Sequence, residues 1–152
     1  MALTLTSTAF KHNEMIPKEY TCDGQGKSPA LSWTQIPDGT QSFVIICDDP
    51  DAPNGTWDHW VLFNIPATIT SLEENIKLYP VEFKQGVNSW GKLGYGAPCP
   101  PSGTHRYYFK LYALDTKLNL SEGITSQKLK EHMKGHVLSE TALMGRYQRS
   151  NN

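Results

Sequence analysis

The chain carries almost no net charge, no long apolar run and none of the common catalytic signatures. Fourteen basic and fifteen acidic side chains over 152 residues leave a formal charge of -1. That balance excludes the single-sign field with which a protein attracts nucleic acid or an anionic membrane surface. No apolar stretch approaches the roughly 20 residues that a membrane-spanning helix requires. Met1 to Phe10 alternates polar and apolar residues, unlike the charged and apolar regions of a secretory signal. Cysteine is scarce. Cys22, Cys47 and Cys99 are odd in number, widely spaced, and match neither a zinc pattern nor CxxC, which reads as reduced thiols in a cytoplasmic protein. The Walker loop, GxSxG and HExxH are all missing. Gly94-x-Gly96 lacks a third glycine and a following helix, so it is not a dinucleotide fingerprint. With no internal repeat, linker or low-complexity tract, residues 1–152 read as a single domain.

What the chain has in quantity is turn formers. Twelve glycines and ten prolines predict many turns and short strands rather than long helices. Residues 3 to 10 alternate and predict a strand. Pro29 to Trp33 predicts another, closed by the turn Pro37-Asp38-Gly39. Ser42 to Cys47 is a continuous, β-branched apolar run, as expected for a strand buried on both faces. Trp57 to Pro66 is the next strand. Residues 67 to 93 are hard to read, with a turn of helix expected over Leu72 to Ile76 and with Val87 and Trp90 pinned to the body. Thr125 or Ser126 caps a helix predicted to run to about Val137, and Ala142 to Arg149 predicts a final strand. Around Gly94 to Asp115 the rest is organised. Its first half is broken by Gly94, Gly96, Pro98, Pro100, Pro101 and Gly103, and its second half alternates as a strand. His105 and Tyr107 stand where that rigid loop enters the strand, two apart and so on one face.

Asp49, Asp51, His59, His105 and Tyr107 each lie at a strand end or in a proline-fixed loop, where sites usually sit. If these ends converge, carboxylates hold the imidazoles and favour their protonated forms. The imidazoles and the Tyr107 hydroxyl then donate to phosphate or carboxylate oxygens, and backbone N–H groups near Gly96 add donors. The plainer reading makes Asp49 and Asp51 turn formers and the histidines core-edge residues. Two rival chemistries use the same side chains. One is a hydrolase with His59 or His105 as general base and Cys99 or Ser102 as nearby nucleophiles. The other is a metal site of His59, His105 and Asp49. His132 and His136, spaced i, i+4, lack a third ligand and imply no metal.

Three stretches carry a resemblance. Asp49-Pro50-Asp51-Ala52-Pro53, Trp57-Asp58-His59-Trp60 and the run from Gly94 through His105-Arg106-Tyr107 resemble the phosphatidylethanolamine-binding protein family. The ending from Gly135-His136-Val137-Leu138 to Gly145-Arg146-Tyr147 resembles its bacterial and archaeal, Raf-kinase-inhibitor-like branch. The resemblance implies a mostly β, antiparallel Greek-key β-sandwich with a helix near the C-terminus. It implies a non-enzymatic pocket for a small anion or a phosphorylated lipid head group, built from Asp49, Asp51, His59, Gly96, His105 and Tyr107. Pro50, Pro53 and Trp57 would shape it. No cofactor or metal is implied. It also implies regulation of a partner protein, a kinase or a protease, and allows a homodimer. Asp58 stands where other members often have a different residue before the pocket histidine, so the pocket charge is expected to differ here.

Overall fold

The computed structural model describes residues 2–77 and 83–149. Among these, eight strands form two antiparallel sheets. They are β1 (Thr4–Thr6), β2 (Leu31–Thr34), β3 (Ser42–Asp49), β4 (Trp57–Pro66), β5 (Ser71–Leu72), β6 (Lys84–Gln85), β7 (His105–Leu114) and β8 (Val137–Tyr147). The smaller sheet has the order β1-β2-β5 and the larger β6-β4-β3-β7-β8, the non-sequential order of a Greek-key sandwich. A helix, α1 (Ser126–Met133), precedes β8.

β3 explains the layering. All of its residues are buried, because it lies at the centre of the larger sheet between β4 and β7. Alternation then splits its side chains. Phe43, Ile45 and Cys47 join the core between the two sheets, with Trp60, Leu62, Tyr107, Phe109 and Trp33. Val44 and Ile46 join a second core with Val61, Phe63, Leu129 and Met133, under α1. Burying each such aliphatic side chain stabilises the fold by about 1.5–3 kcal/mol. The run is continuous in sequence because both faces of the strand are covered. Thr125 caps α1 as expected, its side chain accepting the Lys128 N–H.

Several boundaries differ from expectation. β1 stops at Thr6, and Phe10 packs into the core from outside the strand. Leu72 is not helical. It pairs with Leu31, so β2 rather than local propensity decides its conformation. Part of the 67–93 stretch, residues 78–82, lies outside the described residues. α1 ends at Met133, short of Val137, and Gly135 takes a φ of 82°. β8 begins at Val137, earlier than the expected Ala142. Its first half is mostly exposed and carries no core alternation to read.

The cysteines require the largest correction. Cys22 and Cys99 form a disulfide, with Cα atoms 5.4 Å apart across a separation of 77 residues. They are not reduced thiols. The cysteines therefore no longer point to a cytoplasmic protein, since disulfides persist mainly in oxidising compartments. Cys47 is a free, buried thiol, as expected. Among the described residues no helix is long and apolar enough to cross a membrane.

Candidate functional site

Strand alternation, shifted in β4 by a bulge at His59 between the Asp48–Asp58 and Cys47–Trp60 pairs, brings the site together at one end of the inner face. On β4, Trp57 and His59 point to one side and Asp58 to the other. On β7, His105 and Tyr107 share the inner side, while Arg106 and Tyr108 face out. On β3, Asp48 pairs with Lys110 on the outer face at 2.8 Å, and Asp49 turns inward. Asp49, His59, His105 and Tyr107 line a cavity of about 200 Å³, walled by Pro53, Trp57, Trp90 and the Cys99–Pro101 segment.

Asp49 sits 3% exposed and His105 7%, and the His105 Nδ1–H donates to Asp49 Oδ2 at 2.7 Å. The other carboxylate oxygen accepts the Asp51 N–H at 2.8 Å. Both Asp49 oxygens are thus engaged in holding the ring and closing the turn, and the free nitrogen of His105 is Nε2. His59 is fixed differently. Its Nδ1–H donates to the Gly96 carbonyl at 2.6 Å, while the Gly96 N–H donates to the His59 carbonyl at 2.8 Å. Here too Nε2 is left over. Burial pushes the His59 pKa down, against the raising influence of the Gly96 carbonyl and of Asp49. The expectation of two imidazolium donors is therefore corrected for His59, which the resting pocket holds toward its neutral form with Nε2 as an acceptor.

Tyr107 is wholly buried, and its hydroxyl makes no hydrogen bond of good geometry among the described residues, although the Asp49 side chain is close enough to act on it as a weak acceptor. Burial first, and the Asp49 charge next, raise its pKa, so the group stays a neutral O–H donor. Its ring lies edge-on to His59 at 5.2 Å and stacked on His105 at 6.4 Å.

Gly96 and Asp51 serve the site indirectly. The Gly96 N–H is consumed by His59, so it is not a ligand donor. A Cβ at Gly96 would come within 2.1 Å of Trp90 Cζ3, and glycine is what lets the indole lie there. Asp51 does not line the cavity. It grips Arg106 through Nε at 2.9 Å and Nη2 at 2.8 Å, and accepts the Arg106 N–H. The Arg106 hydrogen bonds push its pKa down to about 2. The pair ties the Asp49–Pro53 turn to the start of β7. Pro53 and Trp57 line the cavity, whereas Pro50 faces the opposite depression with Asp48 and Arg106. Asp58 also leaves the pocket, to accept from the Ser126 hydroxyl at the start of α1. Its charge reaches the pocket only from outside the cavity wall, as one of the influences that raise the proton affinity of His59.

Trp90 is the residue that sequence reasoning missed in the site. It packs edge-on against His59 at 5.0 Å and Trp57 at 5.4 Å. Buried Asn88 holds its loop, accepting the Trp90 and Lys92 N–H groups and donating to the Gly94 carbonyl. The only local signal is an isolated tryptophan among turn residues. Cys99 lies in the disulfide and offers no thiol nucleophile, and Ser102 is exposed in the loop. Among the described residues no three His, Cys, Asp or Glu side chains group to hold a metal ion. His136 instead contacts Asp115 at 2.8 Å, away from the cavity.

The phosphatidylethanolamine-binding protein family matches residues 6–148. A UPF0098 protein of Methanothermobacter thermautotrophicus is 51% identical over 97% of this chain and 99% of its own. Another from Chlamydia muridarum is 43% identical over 96% of this chain and 99% of its own. The crystal structure of a phosphatidylethanolamine-binding protein homologue from Chlamydia trachomatis superposes with a TM-score of 0.93 at 42% identity, covering 98% of this chain and 99% of that one. E. coli YbcL, described as a member of the mammalian family, gives 0.90 at 31% identity, over 99% and 100%. By sequence and by fold, this chain belongs to the phosphatidylethanolamine-binding protein family.

Proposed function

We propose that this protein is a non-enzymatic binding protein for a small anion or a phosphorylated head group, and that occupancy of the pocket regulates a partner protein such as a kinase or a protease. The observation that carries the reading is the Tyr107 hydroxyl. It is buried in the cavity wall with no hydrogen bond of good geometry among the described residues, beside two imidazoles whose Nδ1 atoms are committed and whose Nε2 atoms are not. A phosphoryl oxygen accepts from Tyr107. A protonated phosphoryl oxygen donates to His59 Nε2, or His59 takes up a proton as the anion enters. The Asp49 carboxylate opposes a dianion, so the site suits a singly charged group or one whose arrival brings a proton. Trp57 and Trp90, 36% and 46% exposed at the rim, accommodate whatever apolar substituent the anion carries.

Linkage sets the sign of the pH dependence. An anion raises the proton affinity of a neighbouring imidazole, so proton uptake must strengthen anion binding. The pKa of His59 is lowered below its ordinary value of about 6.5. Affinity for sulfate, whose charge is constant in this range, therefore rises as pH falls through about 6.5 and goes on rising below it. Titrations followed by imidazole and indole NMR shifts at several pH values test this. Affinity independent of pH, or a His105→Ala variant that binds as well as wild type, rejects the reading. Robust hydrolysis of phosphoesters or esters, lost in His105→Ala, replaces it with the hydrolase.

A further inference from the structure

The Cys22–Cys99 disulfide stands at the wall of the His59–His105 cavity rather than in the core. Cys99 lines that cavity with Pro100 and Pro101, whereas Cys22 does not. Both cysteines are exposed. Exposed disulfides are the labile ones, open to exchange with thiols. The wall has few other ties. Just before it, the Cys22 N–H donates to the Pro98 carbonyl at 3.1 Å, and just after it the Thr104 hydroxyl donates to Gln148 Oε1 at 2.7 Å. Between these, residues 99–103 make no hydrogen bond among the described residues. Pro101, Ser102 and Gly103 are exposed.

The other side of the bridge is anchored independently of it. The Thr21 hydroxyl donates to the Lys18 carbonyl at 2.8 Å, and the Tyr95 hydroxyl to the Tyr20 carbonyl at 2.8 Å. Asp23 accepts from Arg149 Nη2 at 2.9 Å. Breaking the bridge therefore leaves the Cys22 side in place and frees the Cys99 side. The reciprocal bonds between His59 and Gly96 and the bond from His105 to Asp49 do not pass through the bridge and stay. What changes is confined to the stretch that walls the cavity and leads into His105. A wall that must be ordered as the ligand enters costs affinity, whereas a wall already fixed does not.

We propose that Cys22–Cys99 is a reversible thiol-exchange site, with a dithiol as co-reactant, and that its reduction loosens the cavity wall and weakens anion binding. The second half of this inference rests on the anion-binding reading above. The exchange balances as follows. One thiolate of the dithiol attacks a sulfur of the bridge, forms a mixed disulfide and expels the other cysteine as a thiolate, which takes a proton from water. The second thiolate of the reagent then attacks the mixed disulfide, expels the remaining cysteine and leaves as a disulfide. Two electrons pass from the dithiol to the protein.

The test compares the full chain with its bridge intact and after treatment with dithiothreitol, at a temperature where circular dichroism shows both folded. Alkylation under native conditions should label two cysteines in the reduced protein, while the buried Cys47 thiol stays unlabelled and reports that the core is closed. Reduction should move the amide signal of Thr104 and the indole signals of Trp57 and Trp90 and leave the amides of Leu129 and Met133 under α1 unmoved. Sulfate affinity should fall roughly threefold or more, the size expected when one or two side chains must be ordered on binding. Cys22→Ser, measured in reductant, should bind sulfate like the reduced wild type, because it breaks the bridge without altering a cavity residue. A bridge that resists dithiothreitol until the chain unfolds, or a reduced chain that unfolds at every temperature tried, overturns the proposal and makes the bond a structural staple. So do unmoved wall signals, or equal sulfate affinities in the two redox states. If sulfate binds to neither state, the anion reading fails, and with it the claimed effect on affinity. The wall signals then decide the exchange site alone.

Discussion

The two ends of β4 show how differently one strand can be used. Near its C-terminal half, Val61 and Phe63 lie on the outer face, fully dry under α1 with Leu129 and Met133. At its start, Trp57 and His59 lie on the inner face at an open cavity, while Asp58 between them turns outward to hold α1. The dry cluster is made of apolar side chains and contributes stability through area and packing. At the cavity, each imidazole is oriented by one bond and left with another nitrogen free. Stability and candidate chemistry are therefore separable along a single element. Mutations in one region should leave the other's readout nearly intact.

The strongest test of that separation is Phe63→Ala. A fully buried phenylalanine truncated to alanine costs about 3–5 kcal/mol, read as a drop in the urea midpoint. At temperatures where the variant is still folded, its sulfate affinity should match wild type. Loss of affinity in the folded variant would show that the two regions are coupled.

Next in size is the disulfide, which joins the cavity wall at Cys99 to the segment after the Lys18–Tyr20 turn. Replacing both Cys22 and Cys99 by serine should cost about 2–5 kcal/mol, and wild type in reductant should approach the same midpoint. Equal midpoints for oxidised wild type and the double variant would show that the cross-link does not constrain the unfolded chain.

Tyr107→Phe sharpens the comparison from the cavity side. The hydroxyl it removes makes no hydrogen bond of good geometry to the described residues of the folded protein, so stability should be unchanged or slightly higher. Sulfate affinity should fall by about 1.5–3 kcal/mol, the usual range for a hydrogen bond to a charged group. A stability loss without an affinity loss would make Tyr107 a core residue only.

The smallest effect belongs to Arg106 and Asp51. Hydrogen bonds from Arg106 hold the folded-state pKa of Asp51 near about 2, against about 3.9 in an unfolded chain. A depressed carboxylate contributes its stability above the unfolded value and loses it as pH falls from about 4 to about 2. Both side chains are substantially solvated, at 47% and 28% exposure, so the contribution is within about 1 kcal/mol. Arg106→Gln should flatten that part of the acid-stability curve. An unchanged acid profile would mean that solvent already screens the pair.

Much of the fold and of the site is legible in the order of the amino acids. Ser42 to Cys47 marks a doubly buried strand, because an apolar run without alternation needs cover on both faces. His105 and Tyr107 mark a shared face, because the strand period is two. Thr125 marks a helix start. Other features leave no local trace. Leu72 takes its conformation from Leu31, and β8 begins among exposed residues. Trp90 reaches His59 only because Gly96 has no side chain to keep it out. Asp51 shares a motif with Asp49, yet the choice between pocket ligand and Arg106 partner depends on which way the turn faces.

Periodicity and turn chemistry act over a few residues. They are enough to specify the class of fold, the strands that carry the site and most of the polar side chains at its mouth. What those side chains are bonded to is settled by contacts across the fold. These join Cys22 to Cys99, spend the Gly96 N–H on His59, leave the Tyr107 hydroxyl unmatched and draw the His59 pKa down. Each depends on groups distant in the chain coming within bonding distance, and on water being excluded around them, which no local pattern encodes.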